Sequence, residues 1–146
     1  MHISCYSFTE ACRLAEPIMN SKGSILTLTY YGSEQVMPHY NVMGVAKAAL
    51  ESAVVYLAND LGPQKIRVNA ISPGPMKTLS GAAIGGARKT FRFTEANAPL
   101  RANATKASIG GTAVYLASDY GECTTGETIM VDGGLHILGL PQPENF

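Results

Sequence analysis

The sequence predicts an α/β domain built on a parallel sheet, and three observations carry that expectation. Helical and strand-like periodicities alternate along the 146 residues in the order helix, strand, helix, strand, helix, strand. Each strand-like run is short, rich in β-branched residues and closed by turn-forming residues. The composition, 46% hydrophobic and 15% charged, suits a single folded domain with a real core and not a disordered chain.

Taken in order, Phe8, Ala11, Cys12, Ala15 and Ile18 or Met19 recur at helical spacing from about Ser7 to Met19. Asn20-Ser21-Lys22-Gly23 then stops the helix. Ser24 to Tyr30 alternates and reads as a strand. A loop through Pro38 leads into a central helix whose apolar residues Val42, Val45, Ala46, Ala49, Leu50, Ala53, Val54 and Leu57 follow helical spacing. Gly62-Pro63 is its stop signal. Ile66 to Ser72 is the second strand, halted by Pro73-Gly74-Pro75. From Met76 to about Arg101, Gly81, Gly85 and Gly86 with few large apolar residues predict a mobile loop (76–101) holding one or two short helices. A helix over Lys106 to Ser118 carries Ile109, Ala113, Leu116 and Ala117, and Thr128 to Val131 is the last strand before Asp132-Gly133-Gly134.

Several function classes are disfavoured at once. Net charge is zero and no block of lysine or arginine occurs, so neither nucleic acid nor an anionic membrane is an expected partner. No apolar run approaches the ~20 residues of a transmembrane helix, and no signal peptide is visible. Cys5, Cys12 and Cys123 read as reduced thiols of a cytoplasmic protein. His2, His39 and His136 are scattered singly, so no metal site is expected.

The residues with chemical promise are Tyr40 and Lys47, with Tyr30 ten positions before Tyr40. On a helix, seven residues turn through ~700°, which puts phenol and ammonium on one face, ~20° and ~10.5 Å apart. The lysine's charge is expected to lower the phenol's pKa from ~10. Taken alone, the bare spacing more often marks a half-buried tyrosine and a solvated lysine than a site. A sheet of this class ordinarily binds a dinucleotide through a glycine-rich turn after its first strand. No G-x-G-x-x-G occurs, because Gly81, Gly85 and Gly86 follow a loop and Gly133-Gly134 closes the last strand. The expectation is one partial domain over residues 1–146, without the dinucleotide-phosphate half.

Tyr40-x6-Lys47, the strand Arg67-Val68-Asn69-Ala70-Ile71-Ser72 with Pro73-Gly74-Pro75, and Val131-Asp132-Gly133-Gly134 together resemble the short-chain dehydrogenase/reductase family. Within it, Leu26-Thr27-Leu28-Thr29-Tyr30-Tyr31-Gly32, Tyr40-Asn41-Val42-Met43-Gly44-Val45-Ala46-Lys47 and Gly74-Pro75-Met76-Lys77-Thr78-Leu79 look like the NADH-dependent enoyl-acyl-carrier-protein reductases of bacteria. Tyr30 stands where most of the wider family has a catalytic serine. Pro73 replaces the small residue usual in the subgroup, which stiffens the turn.

The resemblance implies a Rossmann-like doubly wound parallel sheet, C-terminal part only. It also implies a fatty-acid biosynthesis oxidoreductase passing hydride from NADH to the β-carbon of an enoyl thioester on acyl carrier protein, in a cytoplasmic homotetramer. Tyr40 would hydrogen-bond the thioester carbonyl, Lys47 the nicotinamide ribose, and Tyr30 would flank the substrate. Gly74, Pro75, Met76, Lys77, Thr78, Leu79 and Ser80 would meet the cofactor, and Met43, Ile84 and Ala87 would border the acyl chain. Alternatives stand beside each assignment: a core aromatic for Tyr30, a plain turn for Pro73-Gly74-Pro75 and ordinary packing for the three apolar residues. Asp119 and Asp132 read as turn carboxylates. A 3-oxoacyl reductase, which Tyr30 argues against, and a non-catalytic remnant or assembly fragment are the rival functions.

Overall fold

The computed structural model describes residues 1–76, 78 and 87–145. Three strands, β1 (Ser24–Leu28), β2 (Arg67–Pro73) and β3 (Thr128–Val131), form a parallel sheet in the order β1-β2-β3. The register pairs Ile25 with Val68 and Leu28 with Ile71 on one side of β2, and Ile71 with Ile129 on the other. β2 is buried from Arg67 to Ser72, as a central parallel strand must be when helices cover both faces.

Alternation along β2 assigns the two faces. Val68 and Ala70 join Val54, Ala58, Leu61 and Ile66 in the core beneath α2 (Val42–Leu61). Phe8 of α1 (Ser7–Ala15) packs against that same cluster. On the opposite face, Arg67 reaches α4 (Lys106–Ala117) and donates to the carbonyls of Leu116 at 2.5 Å and Ser118 at 3.3 Å. A buried guanidinium thus satisfies carbonyls that the helix end leaves open. Asn69, fully buried, bridges to the Thr124 carbonyl and the Glu127 amide at 2.9 and 3.0 Å. α4 opens on a reciprocal cap in which the Ser108 amide bonds Thr105 Oγ1 and the Thr105 amide bonds Ser108 Oγ, each at 3.0 Å.

Several element limits differ from expectation, each for a local reason. α1 ends at Ala15 and continues as a 3-10 turn, Glu16–Ile18, because Pro17 cannot donate within an α-helix. β1 stops at Leu28, although the Thr29 amide still bonds the Ile71 carbonyl at 2.9 Å before the chain turns into the 3-10 turn Tyr31–Ser33. α2 begins at Val42, so Tyr40 is not on it. The buried line of α2 is Ala46, Leu50, Val54, Ala58 and Leu61, while Val42 and Val45, expected on the core stripe, are exposed. With its 3-10 extension this helix, Val42–Gln64, is long and apolar enough by length and composition to span a bilayer, contrary to the expectation that no run approached that length. Its many alanines and valines carry the hydropathy, and here the helix covers β2.

The segment 76–101 contains α3 (Ala87–Asn97), which buries Thr94 and Asn97. Positions 77 and 79–86 of that segment lie outside the described residues. The chain's last residues cross α3, where Gln142 donates from its backbone to Asn97 Oδ1 and from its side chain to the Asn97 carbonyl, at 2.9 and 3.0 Å. Cys5, Cys12 and Cys123 are all free thiols.

Candidate active site

The carboxyl ends of the three strands meet at one edge of the sheet, the edge at which open parallel sheets bind ligands. Tyr30 follows β1, Gly74-Pro75-Met76 follows β2 and Asp132 follows β3. Tyr40 joins them from the turn before α2, its ring 5.0 Å from that of Tyr30 at 67°, an edge-to-face contact. The two tyrosines are thus brought together across ten residues of sequence.

The turn holding Tyr40 is conformationally costly. His39 (φ 66°) and Asn41 (φ 39°) on either side of it are left-handed non-glycine residues. The first helical bonds of α2 run from the Met43 amide to the Tyr40 carbonyl and from the Gly44 amide to the Asn41 carbonyl, both at 2.9 Å. Two glycines let the turn close on the β1 loop. A methyl at Gly44 would lie 2.5 Å from the Gly32 carbonyl oxygen, and one at Gly32 would lie 2.6 Å from Tyr40 Cδ1. Tyr40, Gly32, Met37, Asn41 and Gly44 border a cavity of about 470 Å³; Met43 is exposed on α2 outside that lining.

Lys47 does not act on Tyr40 as the spacing suggested. Its Nζ donates to the Leu28 carbonyl at 2.9 Å, at the end of β1. Burial pulls the ammonium's pKa down, and the Glu51 carboxylate opposes that effect. Tyr40 is pushed up from the ordinary phenol value, first by burial and then by Tyr30, and burial pushes Tyr30 up as well. The expected lowering of the Tyr40 pKa is therefore reversed. One-face helical geometry required Tyr40 inside α2, and the two left-handed residues hold it outside.

The other strand ends pack directly on each other. Gly74 is buried against the β3 end, where a Cβ would lie 2.9 Å from Asp132 Cα. The buried Asp132 carboxylate accepts the amides of Gly134 and His136 at 2.9 and 2.8 Å and pairs with His136 Nδ1 at 2.9 Å. It is a turn carboxylate, as read from the sequence. Tyr31, buried beside it, donates its hydroxyl to the His136 carbonyl at 2.8 Å. Adjacent tyrosines thus divide their tasks: Tyr30 faces Tyr40, and Tyr31 ties the β1 loop to the β3 turn. Among the described residues, no group of three or more His, Cys, Asp or Glu side chains could hold a metal ion.

Residues 1–136 match the family model described as Enoyl-(Acyl carrier protein) reductase. The chain belongs to the enoyl-(acyl carrier protein) reductase family. It is 55% identical over 139 residues to the Rickettsia conorii enoyl-[acyl-carrier-protein] reductase [NADH] FabI, covering 95% of this chain and 54% of that protein. The corresponding Bacillus cereus protein is 54% identical over 138 residues, covering 94% of this chain and 54% of the relative. Among solved structures, the Anaplasma phagocytophilum reductase in complex with NAD superposes with a TM-score of 0.90 at 53% identity, over 97% of this chain and 52% of that one. The B. cereus reductase with NADP+ and indole naphthyridinone superposes with a TM-score of 0.91 at 54% identity, over 94% and 53%. The chain spans about half the length of the curated relatives it matches. Its sheet is Rossmann-like and corresponds to the C-terminal part of the family fold.

Of the residues that the family resemblance assigns to cofactor or substrate, Lys77, Leu79, Ser80 and Ile84 lie outside the described residues, as does the side chain of Ala87 at the start of α3. Thr78 is exposed and its amide bonds the Met76 carbonyl at 3.0 Å. Sequence reasoning passed over Gly32, Gly44 and Tyr31 as positioning residues, although each lies inside a quoted motif. It also passed over Glu51, whose one signal was its place four residues after Lys47.

Proposed function

We propose that this chain carries the catalytic and nicotinamide-facing part of an NADH-dependent enoyl-acyl-carrier-protein reductase of bacterial fatty-acid synthesis. The observation that carries the reading is the edge-to-face contact of Tyr30 with Tyr40 at the carboxyl edge of the sheet, where Lys47 bonds the Leu28 carbonyl two residues before Tyr30. Membership of the family supports it. NADH, when bound, supplies the hydride that reaches the β-carbon of the enoyl thioester.

Tyr40 would donate its hydroxyl to the thioester carbonyl oxygen, where negative charge develops. A phenol whose pKa is raised by burial stays protonated at neutral pH, which suits a hydrogen-bond donor better than a base. Lys47 would hold the nicotinamide ribose hydroxyls and lend positive charge to the oxyanion. Tyr30 would flank and orient the substrate. Gly74, Pro75 and Met76, in the turn after β2, would face the nicotinamide, with Lys77, Thr78, Leu79 and Ser80 following toward the carboxamide and pyrophosphate. Met43, Ile84 and Ala87 would border the acyl chain, and the segment 76–101 would close over it to exclude water. These residues fit the nicotinamide end of a dinucleotide; no glycine-rich phosphate turn follows a strand in this sequence.

The acyl-carrier-protein thioester is the proposed partner, with neither nucleic acid nor membrane and a cytoplasmic location. A homo-oligomer, tetrameric as in the family, is proposed from the exposed Val42, Val45, Val55 and Tyr56 of α2. NADH oxidation with crotonyl thioester and with acetoacetyl thioester tests the reading. Turnover of the first is expected, and activity on the second alone would assign a 3-oxoacyl reductase instead. A non-catalytic assembly role is the second reading, favoured by the same exposed apolar residues of α2. Gel filtration with NADH titration separates it: an oligomer with no NADH binding would select it.

A further inference from the structure

The turn after β3 is the meeting point of three segments that are far apart in sequence. From β1, Tyr31 donates its hydroxyl to the His136 carbonyl at 2.8 Å and sets its ring edge-to-face on the imidazole, 6.2 Å between centroids. From β2, the Gly74 amide bonds the Val131 carbonyl at 2.9 Å, and its α-carbon lies close against Asp132. From beyond α3, the Leu100 amide bonds the Gly133 carbonyl at 3.1 Å. The turn is held from inside by Asp132, 5% exposed, whose carboxylate takes two amides of the turn and the His136 imidazole. The His136 carbonyl is therefore fixed relative to β3 and, through Gly74, to the turn after β2.

Tyr30 lies between two ties to this frame. On one side the Thr29 amide bonds the Ile71 carbonyl of β2 at 2.9 Å, and on the other stands the Tyr31 hydroxyl. A single tie would let the chain swing about it; one on each side of a residue fixes where its side chain points. The Ser33 amide closes on the Tyr30 carbonyl at 3.0 Å, so Tyr30 and the 3-10 turn after it move as one piece.

We propose that the Asp132–His136 turn is a brace for the site. Gripped by Tyr31 and packed on Gly74, it holds the Tyr30–Tyr40 pair in a set place relative to the Gly74-Pro75-Met76 turn. What the pair and that turn act on rests on the function proposed above; the brace itself does not. A merely structural Tyr31 would add stability, and loss of its hydroxyl would leave the two rings where they are.

Tyr31→Phe in the intact chain tests this, since it keeps the ring and removes only the hydroxyl. Its matched control is Tyr115→Phe, which breaks the bond between Tyr115 Oη and Thr124 Oγ1, 2.9 Å long and elsewhere in the fold. NMR of ring-labelled tyrosine, assigned with Tyr30→Phe and Tyr40→Phe, follows the two rings. In Tyr31→Phe the Tyr30 and Tyr40 signals should move and the cross-relaxation between them should weaken, while Tyr115→Phe leaves both in place. Turnover of crotonyl thioester should fall about tenfold in kcat with the KM for NADH unchanged. His136→Ala keeps the accepting carbonyl but removes the imidazole that Asp132 holds, and should move the same signals less far. Rings unmoved in folded Tyr31→Phe, or moved equally in Tyr115→Phe, overturn the proposal. If Tyr31→Phe does not fold, His136→Ala decides alone, and unmoved rings there overturn it. The ring signals are read without NADH or thioester, so a wild-type chain that reduces nothing can still pass, and its inactivity would count against the proposed function only.

Discussion

The β2–α2 core and the Tyr30–Tyr40 edge of the sheet are adjacent in space and opposite in construction. In the core, Val68, Ala70, Leu50 and Val54 are buried in regular backbone. At the edge, Tyr40 sits between two left-handed residues, its hydroxyl group in a half-buried setting that raises its pKa. Regular structure places apolar groups where they are most stable. The edge keeps a phenol and an ammonium partly out of water at some cost, which is the arrangement a reacting site requires. What separates the two regions is thus whether local conformation and burial agree with the residue's own preference.

The contrast can be broken from the core side by Leu50→Ala, expected to lower stability by about 2–5 kcal/mol in urea denaturation. From the site side, Tyr40→Phe should reduce turnover of crotonyl thioester by about 10²–10³-fold. Its urea midpoint should stay close to the wild type, since the ring contact with Tyr30 is kept. Equal losses of stability in both variants would erase the distinction.

Gly44→Ala tests the joint between the regions. The added methyl would meet the Gly32 carbonyl oxygen at 2.5 Å, and such overpacking costs about 1–3 kcal/mol. Turnover should fall with stability here, because the displaced loop carries Tyr30 and Gly32. An unaltered protein would mean that the loop is free to yield.

Titration should sharpen the contrast more gently. Tyr30 and Tyr40 are both pushed above the ordinary phenol value, so in an ultraviolet pH titration each should ionise above the ordinary phenol range. With the folded pKa above the unfolded one, their contribution to stability is complete below the unfolded pKa of ~10. It declines as pH rises from there through the folded value. Stability that is flat across that window would remove the burial argument. The smallest expected effect is that of His39→Gly, which relieves a left-handed histidine and should raise stability by up to about 1 kcal/mol without altering Tyr40.

Much of the fold was legible because it rests on local pattern. Thr128–Val131 and Lys106–Ala117 fall where β-branched content, periodicity and the turns around them place them. The helical spacing of α2 was equally readable, but its apolar arc is wider than the core accepts, so sequence alone could not say that Val42 and Val45 stay outside. Tyr30, Tyr40 and Lys47 were legible as a constellation. Their electrostatics were not, because the direction of a phenol's shift depends on which groups surround it after folding. The bond of Glu51 to Thr29 was unreadable for the same reason: the two are 22 residues apart and meet only in the folded chain.

By itself the sequence determined the alternation of helix and strand, the family and the residue types at the sheet's carboxyl edge. These follow from periodicity, turn chemistry and motif order, which are properties of neighbouring residues. Only the tertiary structure decided that Tyr40 leaves the helix, that Lys47 turns to the Leu28 carbonyl, and that Gly32 and Gly44 bring loop and helix into contact. Each of these depends on distances between segments remote in sequence. Burial and close approach have no value until the chain has folded.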